Sequence, residues 1–233
     1  MESHLRRRLN LTRTLLRPNR YTMALEGEFS HVAFSEERAP TRKGLWRREV
    51  FQVSEHHPMD LEIGTGNGAH FSHRALRVPD RCIVGLELKY KPLIQGIRRA
   101  VRGGARNAAI CRFHAFNISE LFEANEVDNI YIHFPDPWTS PKKPKNRVVN
   151  RDLLAVLYDL QRPGSFLEFK TDSREMFLWA LEEISASPYE VVHQTLNLHQ
   201  SELAEGNFVT FFESLFVKDG IEINYIKLRK RSQ

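Results

Sequence analysis

Met59–Gly68 reads MDLEIGTGNG. A short run, the length of a strand, stops at three glycines spaced one residue apart. A helical pattern follows over 68–77. Glycine admits positive φ and lets a backbone approach a ligand closely, so the run predicts a strand that ends in a ligand-binding turn at a helix N-terminus. The dinucleotide fingerprint is G-x-G-x-x-G; here the third glycine comes one residue early. An acid, Glu62, stands two residues before the first glycine. A pyrophosphate site avoids such a charge, whereas a cationic ligand is attracted to it.

Working outward, the same alternation recurs. CIVGLEL (82–88), AAICRF (108–113), DNIYIHF (128–134) and SFLEFK (165–170) read as strands. Helical patterns fall over 90–102, 117–123, 151–160 and 173–186. Apolar strands alternating with helices predict a mostly parallel sheet covered on both faces. After YEVVHQTLNL (189–198) only a short helix near 210–217 precedes EINYIKLRK (222–230), so the last strand is expected to be antiparallel. The fold class is therefore α/β and Rossmann-like, with one folded domain expected over 58–233. Residues 1–57 are expected to form a basic arm and an irregular lead-in. The arm, MESHLRRRLNLTRTLLRPNR, sets Leu5, Leu9, Thr12 and Leu16 on one helical face until Pro18. It reads either as a solvated arm docked by its leucines or as an RNA-contacting arm.

The 233 residues are 41% apolar and 27% charged, which suits a globular chain. Lys+Arg 34 against Asp+Glu 29 leaves a formal charge of +5, in keeping with a polyanionic partner. Cys82 and Cys111, each inside an apolar run, read as reduced, buried thiols. No apolar run is long enough to span a bilayer, and the N-terminus has no signal-peptide core. A cytoplasmic protein is expected.

A second acid marks the next strand. Glu87, in VGLEL at the end of that strand, comes 23 residues after Gly64, where a carboxylate accepts hydrogen bonds from both hydroxyls of a ribose. Glu62, Gly64, Gly66 and Glu87 together point to a nucleoside that also carries a cation. S-adenosylmethionine, with its ammonium and sulfonium, has that chemistry. A third acid, Asp136, follows the strand DNIYIHF in IYIHFPDPWTSPKKPKNR (130–147). Lys142, Lys143, Lys145 and Arg147 come next and form a strip suited to RNA phosphates, stiffened by prolines. Asp172, in FKTDSREMF, reads either as a guanine ligand or as a helix cap. Thr210 and Glu213, in EGNFVTFFE, lie one helical turn apart and either face one pocket or leave Glu213 in solvent.

The set LEIGTGNG, VGLELK, FPDPW with its following lysines, FKTDSREMF and EGNFVTFFE resembles the bacterial tRNA (guanine-N7)-methyltransferase family over residues 59–229. The resemblance implies the seven-stranded class I sheet. It also implies methyl transfer from S-adenosylmethionine to N7 of guanosine 46 in the tRNA variable loop. By the same resemblance, Glu62, Gly64, Gly66, Glu87, His114, Ala115 and Asp136 would bind the cofactor, with Asp136 also catalytic at the guanine. Lys142, Asp172 and the Thr210–Glu213 segment would bind tRNA. Guanine N7 has a free lone pair, so the chemistry calls for alignment rather than a strong base or a metal.

Three positions depart from the family pattern. His114 precedes Ala115 where the family has Asp or Asn, Phe212 replaces a tyrosine, and the lysine loop is two residues longer. Rival readings are a methyltransferase for another RNA guanosine and a catalytically weak RNA-binding subunit of the same fold. The partner is expected to be tRNA, with the chain a monomer or homodimer that needs no obligate protein partner.

Overall fold

A computed structural model describes residues 7, 9–138 and 146–232. The chain divides into two units, Met1–Asp128 and Asn129–Gln233.

The first unit contains α1 (Arg20–Glu26), β1 (Ala33–Phe34), β2 (Met59–Ile63), α2 (Ala69–Arg77), β3 (Cys82–Leu86), α3 (Tyr90–Arg102) and β4 (Ala108–Cys111). Its strands run β1-β4-β3-β2, all parallel. β2 and β3 are buried at every position; β3, CIVGL, accordingly reads as a continuous apolar run, whereas β2, MDLEI, buries two acids, Asp60 and Glu62. Leu25, Phe29, Phe71, Ile94, Ile97 and Ile110 form the core of this unit. Asp60, inside β2, is 1% exposed and is held by Arg74 and Arg81 at 2.9 and 2.6 Å.

The second unit contains β5 (Ile130–His133), α4 (Arg151–Leu160), β6 (Phe166–Thr171), α5 (Arg174–Ser185), β7 (Glu190–Thr195), α6 (Phe211–Lys218) and β8 (Asn224–Arg229). Its strand order is β5-β6-β8-β7. β5 and β6 are parallel, and β8 runs antiparallel to both β6 and β7. The antiparallel last strand thus follows from the short β7–β8 connection, as the sequence predicts.

Two features differ from the sequence reading. The strands number eight among the described residues, because β1 adds a two-residue pairing beside β4. That pairing and α1 lie in the stretch expected to be irregular. α1 is only seven residues long, too short for periodicity to show, and is held by an Asn19–Thr22 capping box. Trp46, in the same stretch, is fully buried, and its indole donates to the Leu121 carbonyl at 2.8 Å.

The N-terminal arm is not the expected amphipathic helix across its described residues. Apart from a 3-10 turn at Thr12–Thr14 it has no regular structure. Its backbone polar groups are taken by tertiary partners instead. Arg7 exchanges two 2.7 Å hydrogen bonds with the Asn117 side chain, and Arg112 donates to the Asn10 carbonyl at 2.9 Å. Thr12 Oγ1 bonds Glu36 and Tyr90 at 2.9 Å. A short isolated helix is marginal, so these contacts decide its course.

Candidate active site

β2 delivers Glu62 to its C-terminal end with 2% exposure, and Glu62 Oε2 lies 2.7 Å from His70 Nδ1 on α2. The glycine turn that follows is pinned to β3: the N–H groups of Gly64 and Thr65 both donate to the Leu86 carbonyl, at 2.9 and 3.0 Å. Gly64, Gly66 and Gly68 have φ of +78°, +53° and +73°, a region that costs any side-chain-bearing residue. Their surroundings differ. A Cβ on Gly64 or Gly66 would meet nothing within 4 Å, whereas one on Gly68 would lie 2.3 Å from Gly96 Cα. The first two glycines leave a cradle open; the third lets α2 close against α3.

Glu87 closes one side of that cradle. Its Oε2 accepts from the Gly66 N–H at 3.0 Å and its Oε1 from the Lys89 N–H at 2.8 Å. Burial raises its pKa, partly offset by backbone donors and the Lys89 charge. Within the turn, Thr65 Oγ1 is buried without a hydrogen-bond partner. A buried hydroxyl rarely stays unpaired unless a ligand completes it. The open cradle, this orphan hydroxyl, the buried Glu62 and the half-buried Glu87 fit the polar outline of S-adenosylmethionine.

His114 follows β4 and caps the 3-10 turn Ala115–Glu120, with Nδ1 accepting from the Phe116 N–H at 3.3 Å. Burial, followed by the Arg7 charge, holds its pKa below the ordinary imidazole value. The ring is therefore neutral with its proton on Nε2, a donor. At this position it presents a donor, where an Asp carboxylate could only accept. Ala115 is 8% exposed beside it.

In the second unit, the loop after β5 begins at Phe134, which has φ +50° and donates its N–H to the Lys170 carbonyl at 2.8 Å. Asp136 follows and is exposed, as is Trp138. Lys142, Lys143 and Lys145 lie outside the described residues. Arg147 is 6% exposed; it pairs with Glu175 at 2.5 Å and lies over the Trp179 ring at 5.0 Å. Its charge is committed within the fold, which argues against a place in a phosphate strip.

Asp172 follows β6 and is half-buried. The cap of α5 is Ser173, whose Oγ accepts from the Met176 N–H at 3.2 Å, so Asp172 does not serve as that cap. Thr210 caps α6 in a reciprocal box with Glu213. Glu213 is fully buried rather than in solvent, and Lys170, His199 and Asn207 meet its carboxylate at 2.9, 3.0 and 2.6 Å. Sequence reasoning missed His70, Lys170, His199 and Asn207. The one signal was a lysine inside the apolar run SFLEFK. Among the described residues no cluster of three or more His, Cys, Asp or Glu side chains is arranged to hold a metal ion.

This is the fold of class I S-adenosylmethionine-dependent methyltransferases. It aligns with a 16S rRNA methyltransferase KamB structure at TM-score 0.56 and 15% identity, over 76% of this chain and 90% of that one. It also aligns with a mutant 16S rRNA (adenine(1408)-N(1))-methyltransferase from Catenulisporales acidiphilia with cosubstrate SAM, at TM-score 0.53 and 14% identity, over 76% and 87%. A family model described as a putative methyltransferase matches residues 56–225. A curated Bdellovibrio bacteriovorus protein named tRNA (guanine-N(7)-)-methyltransferase is 59% identical over 208 residues, spanning 89% of this chain and all of that one. The chain belongs to the tRNA (guanine-N7)-methyltransferase family.

Proposed function

We propose that this protein transfers the methyl group of S-adenosylmethionine to N7 of guanosine 46 in the variable loop of tRNA. The observation that carries the cofactor reading is the Gly66–Glu87 bond beside an open glycine cradle. The similarity to the Bdellovibrio protein supports the tRNA guanine substrate. S-adenosylmethionine supplies an electrophilic methyl group.

The residues then divide the work. Glu62, steadied by His70, balances the ammonium of the methionine moiety. Glu87 keeps acceptor capacity for ribose hydroxyls while its two backbone donors hold its plane. Gly64 and Gly66 keep side chains out of the approach, and His114 and Ala115 border the adenine. Asp136 orients the guanine and balances the positive charge that appears on the methylated ring. Asp172 accepts from guanine N1 and N2 hydrogens, and the Lys142, Lys143 and Lys145 loop neutralises phosphates. The N7 lone pair is available at neutral pH, so orientation provides the rate.

No described helix is long and apolar enough to cross a membrane. Cys82 and Cys111 are free and buried, in keeping with a reducing cytoplasm. We assign the protein there, as a monomer or homodimer without an obligate protein partner. The test is transfer from labelled cofactor to unmodified tRNA followed by mapping of the methylated base. Label at N7 of guanosine 46 supports the proposal; label at another guanosine, or none, overturns it.

A further inference from the structure

We infer that Lys170 and Glu213 are positioning residues, the two halves of a buried clasp that sets segment 197–213 against the end of β6, and that Glu213 is not a ligand of the substrate. This rests on the methyl-transfer reading for its kinetic consequences only.

Glu213 has no exposed surface, and Lys170 is 2% exposed. The three ammonium hydrogens of Lys170 have three acceptors: Glu213 Oε2 at 2.9 Å, Asn207 Oδ1 at 2.9 Å and the Phe208 carbonyl at 3.2 Å. Glu213 accepts in turn from Asn207 Nδ2 at 2.6 Å and from the Thr210 N–H at 3.4 Å, and lies 3.0 Å from His199 Nε2. The donors leave its carboxylate no open side for a nucleotide.

A fully paired buried ion pair adds less stability than apolar residues of the same volume, because desolvation offsets attraction. Its advantage is geometric. Removing one partner strands the other, so the segment has one arrangement in which both charges are satisfied. Lys170 also reaches the other way. Its carbonyl accepts the Phe134 N–H, two residues before Asp136, its ammonium lies 5.7 Å from the Phe134 ring, and Phe134 packs on Phe216 of α6. One residue thereby fixes both the Asp136 loop and the segment leading into α6, two positions before Asp172.

The test compares Glu213→Gln, Asn207→Ala and the double variant Lys170→Met/Glu213→Leu with the parent. Readouts are kcat and KM for tRNA, S-adenosylmethionine affinity, Tm, and backbone amide exchange over 197–210. A misplacement of about 1 Å costs on the order of 100-fold in rate. The double variant should keep a Tm near the parent's, bind S-adenosylmethionine unchanged, and lose kcat by roughly 10- to 100-fold. Amide exchange in the segment should speed up in all three variants. A double variant that keeps the parent's kcat and exchange pattern overturns the clasp, as does a Glu213→Gln variant that raises only KM for tRNA. If the double variant fails to fold, Asn207→Ala decides by the same readouts. If the parent itself methylates no tRNA, the functional proposal fails while the exchange data still judge the clasp.

Discussion

The main-chain N–H of Gly66 donates to Glu87 Oε2 at 3.0 Å, joining the glycine turn after β2 to the acid after β3. Both ends of this bond come from residues that the sequence marks separately, and the parallel β2–β3 register brings them together.

Replacing Glu87 with Gln should weaken S-adenosylmethionine binding by about 10- to 100-fold, because hydrogen bonds to a charged acceptor contribute about 1.5–3 kcal/mol each. Burial raises the Glu87 pKa, and ribose hydroxyls donate to the ionised form. Affinity of the parent should therefore fall as pH drops through that raised value, and Glu87→Gln should flatten the dependence. In the ligand-free protein the sign is opposite for stability: the contribution of this group is present below the ordinary carboxylate range and lost as pH rises through the raised pKa. Calorimetric titration across mildly acidic pH checks the first, thermal melts the second.

Two glycine substitutions should separate function from folding. Gly66→Ala places a methyl in open space at a cost of about 1–2 kcal/mol for its positive φ, so it should fold and bind cofactor poorly. Gly68→Ala sets a methyl 2.3 Å from Gly96 Cα and should prevent α2 from seating on α3. Comparable Tm values for the two would contradict this reading.

Asp136→Ala should reduce methyl transfer far more than tRNA binding, since the carboxylate is assigned to the guanine and not to the phosphate track. Single-turnover rates with saturating cofactor, set beside tRNA dissociation constants, make the comparison. Equal losses in both would remove Asp136 from that role.

The basic loop and Arg147 should behave differently. Changing Lys142, Lys143 and Lys145 together to Gln should weaken tRNA binding and reduce the slope of log K against log salt by about 0.7–0.9 for each phosphate no longer neutralised. Arg147→Gln should lower Tm and leave that slope alone, because Arg147 is committed to Glu175 and Trp179. A flattened slope in Arg147→Gln would return it to the phosphate strip.

Arg7→Gln should raise the His114 pKa part of the way towards the ordinary imidazole value, since the Arg7 charge is the second cause of its depression after burial. Proton NMR titration of the His114 ring reads the shift directly. An unmoved titration would mean that burial acts alone.

The sequence by itself determined the strand-helix alternation, the antiparallel last strand and the positions of Glu62, Glu87 and the glycine turn, because each is written in local signals: apolar runs, glycines and acids at strand ends. Those signals act over a few residues, and buried parallel strands announce themselves by composition. Tertiary structure alone decided the rest. The arm reads as a helix by period, yet Asn117 and Arg112, about 100 residues away, take its backbone groups. Arg147 reads as one of a basic strip until Glu175 and Trp179 claim it. Thr210 and Glu213 read either as a pair facing one pocket or as a helix start with Glu213 in solvent, but Lys170 and His199, brought in from β6 and the turn after β7, meet the buried carboxylate. A side chain's charge is legible in one dimension; which opposite charge satisfies it depends on which distant elements pack beside it, and desolvation makes that pairing decisive.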